Sequence, residues 1–403
     1  MKWEKVKLED ISINIQTGPF GSQLHQYDYS ETGTPVVMPK DLTDGIISEQ
    51  SIARVSEDHV LRLNRHMIQK GDILYSRRGD VGRCALATEH EAGWLCGTGC
   101  LRITIDETIA DSKFVFYQLQ QEKIVGWVEK HAVGATMLNL NTTILSNIPL
   151  RLPPLEIQRR IADVLSAYDD LIENNRKQIK LLEEAAQRLY KEWFVDLRFP
   201  GYGHTRIVDG VPEGWERRCI SDIATINESN IPKNYQFNYI EYIDLSSVQN
   251  GIIKEKTRYP LAEAPGRAKR VAKDGDIIWG MVRPNLKSFA LVLHPRETDV
   301  YSTGFCVLSS KAVPFSYLYY SVTTEGFIRY LVNCTNGAAY PAVKPIHFAE
   351  AELLFPSEML LKKFNDIVEP MLRQREKLLT MTNGAMEARD RLLPKLMSGE
   401  VEV

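Results

Sequence analysis

Several features that mark other classes of protein are missing from this chain of 403 residues. No run of about 18 apolar residues exists, so no membrane span is expected. The N-terminal sequence MKWEKVKLED has no apolar h-region, which indicates that no secretory signal peptide is present. Neither sign of charge dominates, because 49 Lys and Arg residues stand against 52 Asp and Glu residues. We therefore expect a cytoplasmic protein, and any nucleic-acid binding would require the positive charge to be concentrated on one surface.

Cysteine pairs at metal-binding spacing are also missing. The chain has six cysteines, and none of them forms a CxxC pair. Cys96 and Cys100 are four positions apart, but no second pair follows at the spacing of a zinc site. The sequence therefore predicts buried free thiols in a reducing compartment and no metal-binding residues.

The motifs of common enzymes are absent as well. There is no phosphate loop of the G-x-x-x-x-G-K-S/T type, no G-x-G-x-x-G after a strand, no HExxH and no GxSxG. Pro153-Pro154 follows Leu152, so it does not form the Asn/Asp-Pro-Pro-aromatic motif of amino-methyltransferases. Asp72 and Asp276 both lie in Gly-Asp-Ile sequences, where an Asx-type turn before a strand explains them better than catalysis. We predict a binding protein or scaffold with no catalytic residues and no cofactor of its own.

The most informative feature that is present is an internal repeat with a period near 203 residues. This period is far longer than a solenoid unit, so it indicates a duplicated domain. Upstream the offset drifts by a few residues, as insertions in loops would cause. The matches include Gly134-Ala135 with Gly337-Ala338, Pro153 with Pro356, Arg188-Leu189 with Arg391-Leu392, and Gly71-Asp72-Ile73-Leu74 with Gly275-Asp276-Ile277-Ile278.

Each copy begins with about 150 residues of mixed pattern, for which the turn and strand signals predict an α/β or α+β globule. Short β-type runs occur at 34–38 and 71–75, and a helical stretch is predicted near 114–130. The remainder of each copy is predicted to be one long helix. Since a helix of some 40 residues cannot bury its apolar stripe alone, the two long helices are expected to pair antiparallel as a coiled coil.

The apolar seam of each long helix follows spacings of four and three residues. In the second helix Arg375, Thr382 and Arg389 interrupt the seam, which leaves its register less secure. Asn175 also lies on the seam, where it could fix the register as a buried residue or be solvated at a loose point. The predicted seam residues are Ile161, Leu165, Tyr168, Ile172, Asn175, Ile179, Leu182 and Leu189 in the first helix, and Phe364, Val368, Met371, Leu378, Leu392 and Leu396 in the second.

The predicted fold is therefore of the α/β (α+β) class, with two pseudo-symmetric globules joined by two long antiparallel helices. The expected boundaries are 1–152 for the first globule, 153–199 for the first helix, 200–213 for a linker, 214–355 for the second globule, and 356–403 for the second helix and tail.

Basic and amide side chains cluster in matching loops of the two globules. Arg can bind guanine O6 and N7 through two hydrogen bonds, Asn and Gln can do the same for adenine, and Lys mostly meets phosphate. A solvated loop would show a similar composition, so any single residue could be an ordinary surface residue. The cluster of DNA-binding candidates as a whole is better supported than its individual members. The candidate DNA-binding residues are Gln16, Thr17, Ser22, Lys40, Arg77, Arg78, Arg83, Thr136, Asn139 and Asn141 in the first globule, and Lys233, Asn234, Arg283, Asn285, Lys287, Tyr340 and Lys344 in the second.

Four segments resemble a known family, the specificity subunits of type I restriction-modification systems. The segment PPLEIQ at 153–158 resembles the end of the first target-recognition domain in that family, and RLLPKLMSGE at 391–400 resembles the end of its second central helix. The GDIL turn at 71–74 and the GPFGS loop at 18–22 resemble recurrent pieces of its recognition domains. The resemblance covers essentially the whole chain, and the helical segments are its specific part.

The resemblance implies a non-catalytic subunit that selects a bipartite target in double-stranded DNA. Each globule would be a target-recognition domain for one half of the target, and the helix pair would set the spacer between the halves. The expected partners are two modification subunits, which carry S-adenosylmethionine and methylate adenine at N6. Two restriction subunits that use ATP and magnesium would complete the complex.

Three alternatives remain open at this point. The chain could serve a type IIB system with a fused nuclease and methyltransferase, which would have the same architecture. It could be an enzyme in its own right, which binding of S-adenosylmethionine by the isolated chain would indicate. It could also be a coiled-coil interaction protein with no role at DNA, which sequence-specific retardation of duplex DNA would exclude.

Overall fold

The chain divides into two compact units. The computed structural model describes residues 3–134, 138–335 and 341–403. The first unit combines Met1–Glu173 with Thr382–Val403, and the second unit is Asn174–Met381. Each unit therefore contains one globule and a part of each long helix.

The first globule is built on a four-stranded antiparallel sheet that is buried on both faces. Ile73 and Tyr75 pack into the core beneath the helices, whereas Leu74 points into a second core on the opposite face. This alternation explains why strand Ile73–Ser76 is apolar at nearly every position rather than at every second one. The strands, in sheet order, are Ser12–Thr17, Cys100–Ile105, Ile73–Ser76 and Cys84–Leu86.

A second sheet covers the far face of the first sheet. Val37 and Cys96 face the core between the two sheets, while Val36 and Leu95 belong to a smaller cluster on the outer side. Its strands, in order, are Leu95–Cys96, Thr34–Val37, Ala53–Val55 and Tyr29–Ser30. Two shorter pairs complete the globule, namely Glu4–Lys7 with Pro149–Leu152 and Leu42–Thr43 with Ile46–Ile47.

The helices of the first globule correct one expectation. The single helix predicted near 114–130 is two helices, Ser112–Leu119 and Glu122–His131. Gln121 between them has an extended backbone, with φ −63° and ψ 137°, which ends one helix and begins the next. No Gly or Pro marks this break in the sequence. The remaining helices are Glu57–Arg62 and Thr142–Ser146, with 3-10 turns at Leu8–Ile11, Gln26–Asp28, Pro39–Asp41 and Asn64–His66.

The second globule repeats this design. Ile277 and Trp279 face the helices and Ile278 faces the core between the sheets, as in the equivalent strand of the first globule. The first sheet consists of Ala224–Ile226, Phe305–Ser310, Ile277–Gly280 and Phe289–Leu291. The second consists of Thr257–Pro260, Tyr239–Ile243, Asp299–Ser302 and Ala268–Arg270.

Shorter elements complete the second unit. Two-stranded pairs form between Glu216–Cys219 and Glu352–Phe355, between Val248–Gln249 and Ile252–Ile253, and between Ile207–Val208 and Val211–Pro212. The helices are Ile220–Ile223, Phe315–Val322, Glu325–Asn333 and Pro345–Ala349. The 3-10 turns are Tyr202–His204, Leu261–Glu263 and Pro284–Leu286.

The two Gly-Asp-Ile turns have the structural role that the sequence predicted for them. Asp72 is buried, and its Oδ2 accepts a hydrogen bond from the backbone N–H of Gln69 at 2.8 Å. The equivalent bond joins Asp276 Oδ2 to the backbone N–H of Lys273 at 2.7 Å. Each carboxylate therefore closes the turn that begins a central strand.

The two long helices are Leu155–Tyr190 and Glu358–Ser398, with 36 and 41 residues. The first continues into a π-helical turn at Lys191–Val195. At 1.5 Å per residue they are about 54 and 62 Å long. Both pass from one unit into the other, because the unit boundaries fall at residues 173–174 and 381–382.

Most of the predicted seam is buried. In the first unit Ile161 and Leu165 share the core of the globule with Leu396 and Met397. In the second unit Ala186 and Tyr190 share a core with Phe364, Val368 and Leu372. The buried seam residues are Ile161, Leu165, Ile172, Asn175, Ile179, Phe364, Val368, Leu378 and Leu396, while Tyr168, Leu182, Leu189, Met371 and Leu392 are partly buried.

Two of the polar residues that interrupt the seam form ion pairs between the long helices. In the first unit Arg389 Nη1 binds Asp169 Oδ1 at 2.6 Å, and Tyr117 donates to the other oxygen of Asp169 at 2.5 Å. In the second unit Arg375 Nε binds Glu183 Oε1 at 2.5 Å. Both arginines therefore pair with residues of the first long helix at the points where the apolar pattern is interrupted.

Asn175 is 2% exposed, which excludes the solvated alternative, and its Nδ2 has no hydrogen-bond partner among the described residues. Thr382, the third polar residue of the seam, is also buried.

The cysteines of the structure are free thiols. Cys84, Cys96, Cys100 and Cys306 are buried, as predicted, whereas Cys219 and Cys334 are partly exposed. Burial raises the pKa of Cys84 to about 12, so this thiol stays protonated at neutral pH.

Among the described residues, no helix combines the length and the apolar character needed to cross a membrane.

Candidate functional site

A frame of backbone hydrogen bonds ties the loop that follows strand Ile73–Ser76 to two neighbouring loops of the first globule, and the loop at 18–23 lies beside it. We call this region the first rim and define it as residues 18–23, 77–83 and 138–141. The backbone N–H of Arg77 donates to Gly99 O at 2.9 Å, and the N–H of Leu140 donates to Arg77 O at 2.8 Å. The N–H of Gly79 donates to Leu138 O at 3.2 Å. These bonds fix the start of the loop that follows strand Ile73–Ser76.

Two arginines and an asparagine meet on this frame. Arg77 is partly buried, its Nε lies 3.3 Å from Leu140 O, and its guanidinium lies 5.7 Å from the centre of the Phe20 ring. Burial and the neighbouring charge of Arg78 lower the pKa of Arg77. Arg78 is exposed and forms a β-bridge with Asn139, whose Oδ1 is buried and has no hydrogen-bond partner among the described residues. The first rim thus brings together two guanidinium groups and one amide side chain.

Other predicted residues of the first rim already have partners within the chain. Arg83 Nε binds Asp80 Oδ2 at 2.6 Å on an exposed surface. Asn141 caps helix Thr142–Ser146, because its Oδ1 accepts from the N–H of Ile144 at 2.8 Å. Ser22 is exposed in the loop that contains Phe20.

Three predicted residues lie outside the first rim as defined here, and one cannot be placed. Gln16 Nε2 donates to Arg65 O at 2.6 Å, and Thr17 ends the same strand. Lys40 Nζ donates to Ser51 O at 2.8 Å. Thr136 lies outside the described residues.

The second globule has an equivalent frame, which we call the second rim and define as residues 281–287 and 341–344. The N–H of Met281 donates to Gly304 O at 2.9 Å, and the N–H of Val343 donates to Met281 O at 2.9 Å. The N–H of Arg283 donates to Pro341 O at 2.8 Å. Each bond has a counterpart in the first rim, so the two loops that the sequence matched do occupy equivalent positions.

The basic residues of the second rim stand on a bent loop. Arg283 is exposed with φ +49°, and Lys287 is partly buried with φ +56°, so both are in the left-handed region that costs non-glycine residues energy. Lys287 Nζ forms an ion pair with Glu325. Asn285 is exposed on the 3-10 turn between them, and Lys344 is exposed at the start of helix Pro345–Ala349.

The remaining predicted residues of the second globule lie outside this loop. Lys233 and Asn234 are exposed in the turn that precedes strand Tyr239–Ile243. Tyr340 lies outside the described residues.

Each rim also presents a large apolar side chain, a residue type that is absent from the DNA-binding residues predicted from the sequence. Phe20 and Leu286 are each 52% exposed, and they lie in the same rims as Arg77 and Arg283. A bulky apolar residue inside a polar loop rich in Gly, Pro or Asn is the sequence signal that could have identified them. Apolar side chains of this kind can contact bases or wedge between base steps.

The exposed side chains of the two rims include cations, amides and apolar groups, and the first rim also contains the exposed carboxylate of Asp80. Among residues 3–134, 138–335 and 341–403, no group of three or more His, Cys, Asp or Glu side chains is arranged to hold a metal ion. A groove of about 1020 Å³ lies in the second unit, with Glu183, Lys287, Tyr319, Glu325 and Arg375 among its lining residues.

Comparisons with known proteins agree with this architecture. Residues 1–184 match the family model of the type I restriction modification DNA specificity domain. The chain is 24% identical to the type I restriction enzyme MjaIX specificity subunit of Methanocaldococcus jannaschii, over 100% of this chain and 94% of that one. It is 21% identical to the type I restriction enzyme HindI specificity subunit of Haemophilus influenzae, over 99% of each chain.

The fold is similar to that of a crystal structure of a type I restriction-modification system S subunit from M. genitalium. The TM-score is 0.67 at 16% identity, and the match covers 98% of this chain and 96% of that one. The sequence matches extend over both globules and both long helices. The comparisons therefore place a type I restriction modification DNA specificity domain in residues 1–184 and show similarity to type I specificity subunits along the whole chain.

Proposed function

We propose that this chain reads a bipartite target in double-stranded DNA, one half with each rim. The observation that carries the proposal is the repeated frame, in which three backbone hydrogen bonds of one rim have counterparts in the other. Because one chain carries two surfaces with the same backbone arrangement, it can bind a target that consists of two short blocks. The first rim reads one block, and the second rim reads the other.

The side chains of the rims have the chemistry that base reading requires. Arg77, Arg78 and Arg283 can each donate two hydrogen bonds to the O6 and N7 atoms of guanine. Asn139, which is bridged to Arg78 in the first rim, carries an amide of the kind that pairs with adenine. We assign phosphate contacts, which position the protein without reading sequence, to Lys287 and Arg83, whose ion pairs with Glu325 and Asp80 would open on binding.

The long helices set the distance between the two blocks. This part of the proposal is supported by the division of the chain, since each long helix contributes residues to both units. We propose a spacing of roughly one turn of duplex, about 34 Å, which would let both rims meet the same face of DNA.

Catalysis belongs to partner subunits in this proposal. The motifs for binding ATP and for amino-methyl transfer are absent from the sequence. Two modification subunits dock on the chain and supply S-adenosylmethionine and adenine N6 methylation. Two restriction subunits supply ATP hydrolysis and magnesium-dependent cleavage. The chain positions these subunits at the target.

The decisive experiment is sequencing of modified bases in a host that expresses the chain with its modification partner. The expected result is N6-methyladenine in one motif of two blocks separated by unread bases. The chain expressed without its partner is the control and should leave the DNA unmodified. A single uninterrupted motif would contradict the two-rim proposal, and methyl transfer by the purified chain would contradict its non-catalytic role.

A further inference from the structure

Arg375 occupies a place on the second long helix where the seven-residue pattern calls for an apolar side chain. It is nevertheless 5% exposed. Burial of a guanidinium group is unfavourable unless its charge is paired and its donors are satisfied. The contacts of Arg375 therefore indicate why the position is not apolar.

The guanidinium of Arg375 binds two separate elements of the second unit. Its Nε donates to Glu183 Oε1 of the first long helix at 2.5 Å. Its Nη2 donates to the backbone carbonyl of Gly251 at 2.9 Å, and this bond is buried. Gly251 is not part of a helix: it lies at the tip of the hairpin formed by Val248–Gln249 and Ile252–Ile253. One side chain thus joins both long helices to a hairpin of the globule.

The tip of this hairpin fits closely against the helix. Asn250 and Gly251 have φ +49° and +82°, as a two-residue type I′ turn requires. A Cβ atom added to Gly251 would lie 2.7 Å from Tyr319 Oη and 3.4 Å from Arg375 Nη2. Glycine is therefore needed both for the backbone conformation and for the close approach.

The same two residues bind the end of the second rim. The N–H of Asn250 donates to Lys287 O at 2.9 Å, and the N–H of Gly251 donates to Phe289 O at 2.8 Å. Gly251 consequently accepts from Arg375 through its carbonyl and holds the strand after the rim through its amide. Lys287 itself has a strained backbone that needs such external support.

We infer that Arg375 is a positioning residue that fixes the DNA-reading conformation of the second rim through the turn at Asn250-Gly251. Because the same guanidinium also binds Glu183, the alignment of the two long helices and the placement of this rim both depend on Arg375. The inference rests on the proposed function, because it assigns the second rim one block of the target.

Arg375→Met tests the inference, because methionine restores the apolar seam while leaving the Gly251 carbonyl without its donor. Glu183 is one-third exposed, so water can solvate it in the variant. The matched control is Arg389→Met, which removes the interhelical ion pair of the first unit, where Arg389 binds Asp169 and Asp169 also accepts a hydrogen bond from Tyr117. Each variant is assayed in complex with the modification subunit for methylation of targets with single-base changes in either block.

The expected result for Arg375→Met is a roughly three- to tenfold loss of discrimination in the block read by the second globule, with the other block unchanged. Arg389→Met should leave discrimination in both blocks unchanged. Arg375→Lys should have an intermediate effect, since an ammonium group cannot reproduce the two-sided contact. Arg375→Lys also decides the outcome if Arg375→Met does not fold.

Hydrogen exchange of the isolated chain supplies a readout that needs no DNA. The amides of Asn250 and Gly251 should exchange faster in Arg375→Met than in the unsubstituted chain or in Arg389→Met. Unchanged exchange together with unchanged discrimination in a folded variant would overturn the inference, and so would an equal loss in both blocks. If the unsubstituted complex shows no two-block motif, the proposed function fails, while hydrogen exchange still decides whether Arg375 positions the turn.

Discussion

The first and second rims have equivalent backbone hydrogen bonds but different side chains at equivalent places. Arg77 and Arg78 of the first rim correspond to Met281 and Val282 of the second, because the backbones of Arg77 and Met281 make equivalent hydrogen bonds to two neighbouring loops. The basic groups of the second rim lie further along, at Arg283 and Lys287. The comparison teaches that the frame depends on main-chain bonds, which leaves the side chains free to differ between two target blocks.

The rims also differ in how they are supported. Arg77 and Asn139 of the first rim contact neighbouring loops of their own globule. The second rim is tied through Gly251 to Arg375 on a long helix. A disturbance of the helices should therefore affect the second rim more than the first.

The largest effect is expected from a shift of the helical seam. Insertion of two residues into each long helix, at 173–174 and 381–382, would rotate the seam by about 200° and should prevent folding. Insertion of seven residues keeps the seam in phase and adds about 10 Å, which corresponds to up to three base pairs at ~3.4 Å each. Circular dichroism and the methylated motif of each variant are the measurements. An unchanged spacer in the seven-residue variant would show that the helices do not set the distance.

Exchange of one globule is the next largest change. Replacement of residues 214–355 by the matching domain of a relative should alter one block of the motif completely and leave the other intact. The exchanged piece contains both strands of the pair Glu216–Cys219 and Glu352–Phe355, so this pairing is preserved within the donor domain. The methylated motif of the hybrid is the readout, and simultaneous change of both blocks would argue against independent rims.

A third comparison concerns the buried turn carboxylates. Asp72→Ala should lower the free energy of unfolding by about 3–5 kcal/mol, because it leaves the buried Arg102, now 3.5 Å from Asp72, without its acidic partner. Asp276→Ala removes a bond to a backbone N–H and should cost about 1–2 kcal/mol. Scanning calorimetry of the two variants tests this order. Equal losses would mean that the ion pair of the first globule adds no stability.

The smallest effects are expected from single basic residues of the rims. Loss of a base-contacting arginine, with Arg78→Ala as the first choice, should cost about 1–3 kcal/mol of DNA affinity and relax one position of the motif. Arg83→Ala and Lys287→Ala should cost less than about 1 kcal/mol, lower affinity for all sequences and flatten the salt dependence. Binding is measured over a range of salt concentrations.

A combined variant tests whether the rims contact DNA at all. It carries Ala at Arg77, Arg78, Arg83, Arg283 and Lys287. If it binds as the unsubstituted chain does at moderate salt, the rims do not face DNA.

The sequence was sufficient to predict the duplicated design, since matching turns at Asp72 and Asp276 and two apolar seams are visible without coordinates. It could not predict the break at Gln121, because an extended backbone there follows from packing and no Gly or Pro signals it. Arg375 was interpreted as an interruption because an apolar pattern contains no information about Glu183 or the carbonyl of Gly251. Which polar residues share a rim depends on contacts between loops about 60 residues apart, such as Arg77 with Leu140.

The composition of the first unit from two distant parts of the chain has a consequence for synthesis. Its core includes Leu396 and Met397, which lie beside Ile161 and Leu165. While the chain leaves the ribosome, Ile161 and Leu165 must wait for more than half of the sequence to follow, roughly 10–50 s at 5–20 residues per second. A chain that stops before residue 382 can complete neither the first core nor the ion pair of Asp169. Premature termination should therefore yield a product whose exposed apolar helix is recognised by chaperones and proteases, so that incomplete chains do not compete for partner subunits.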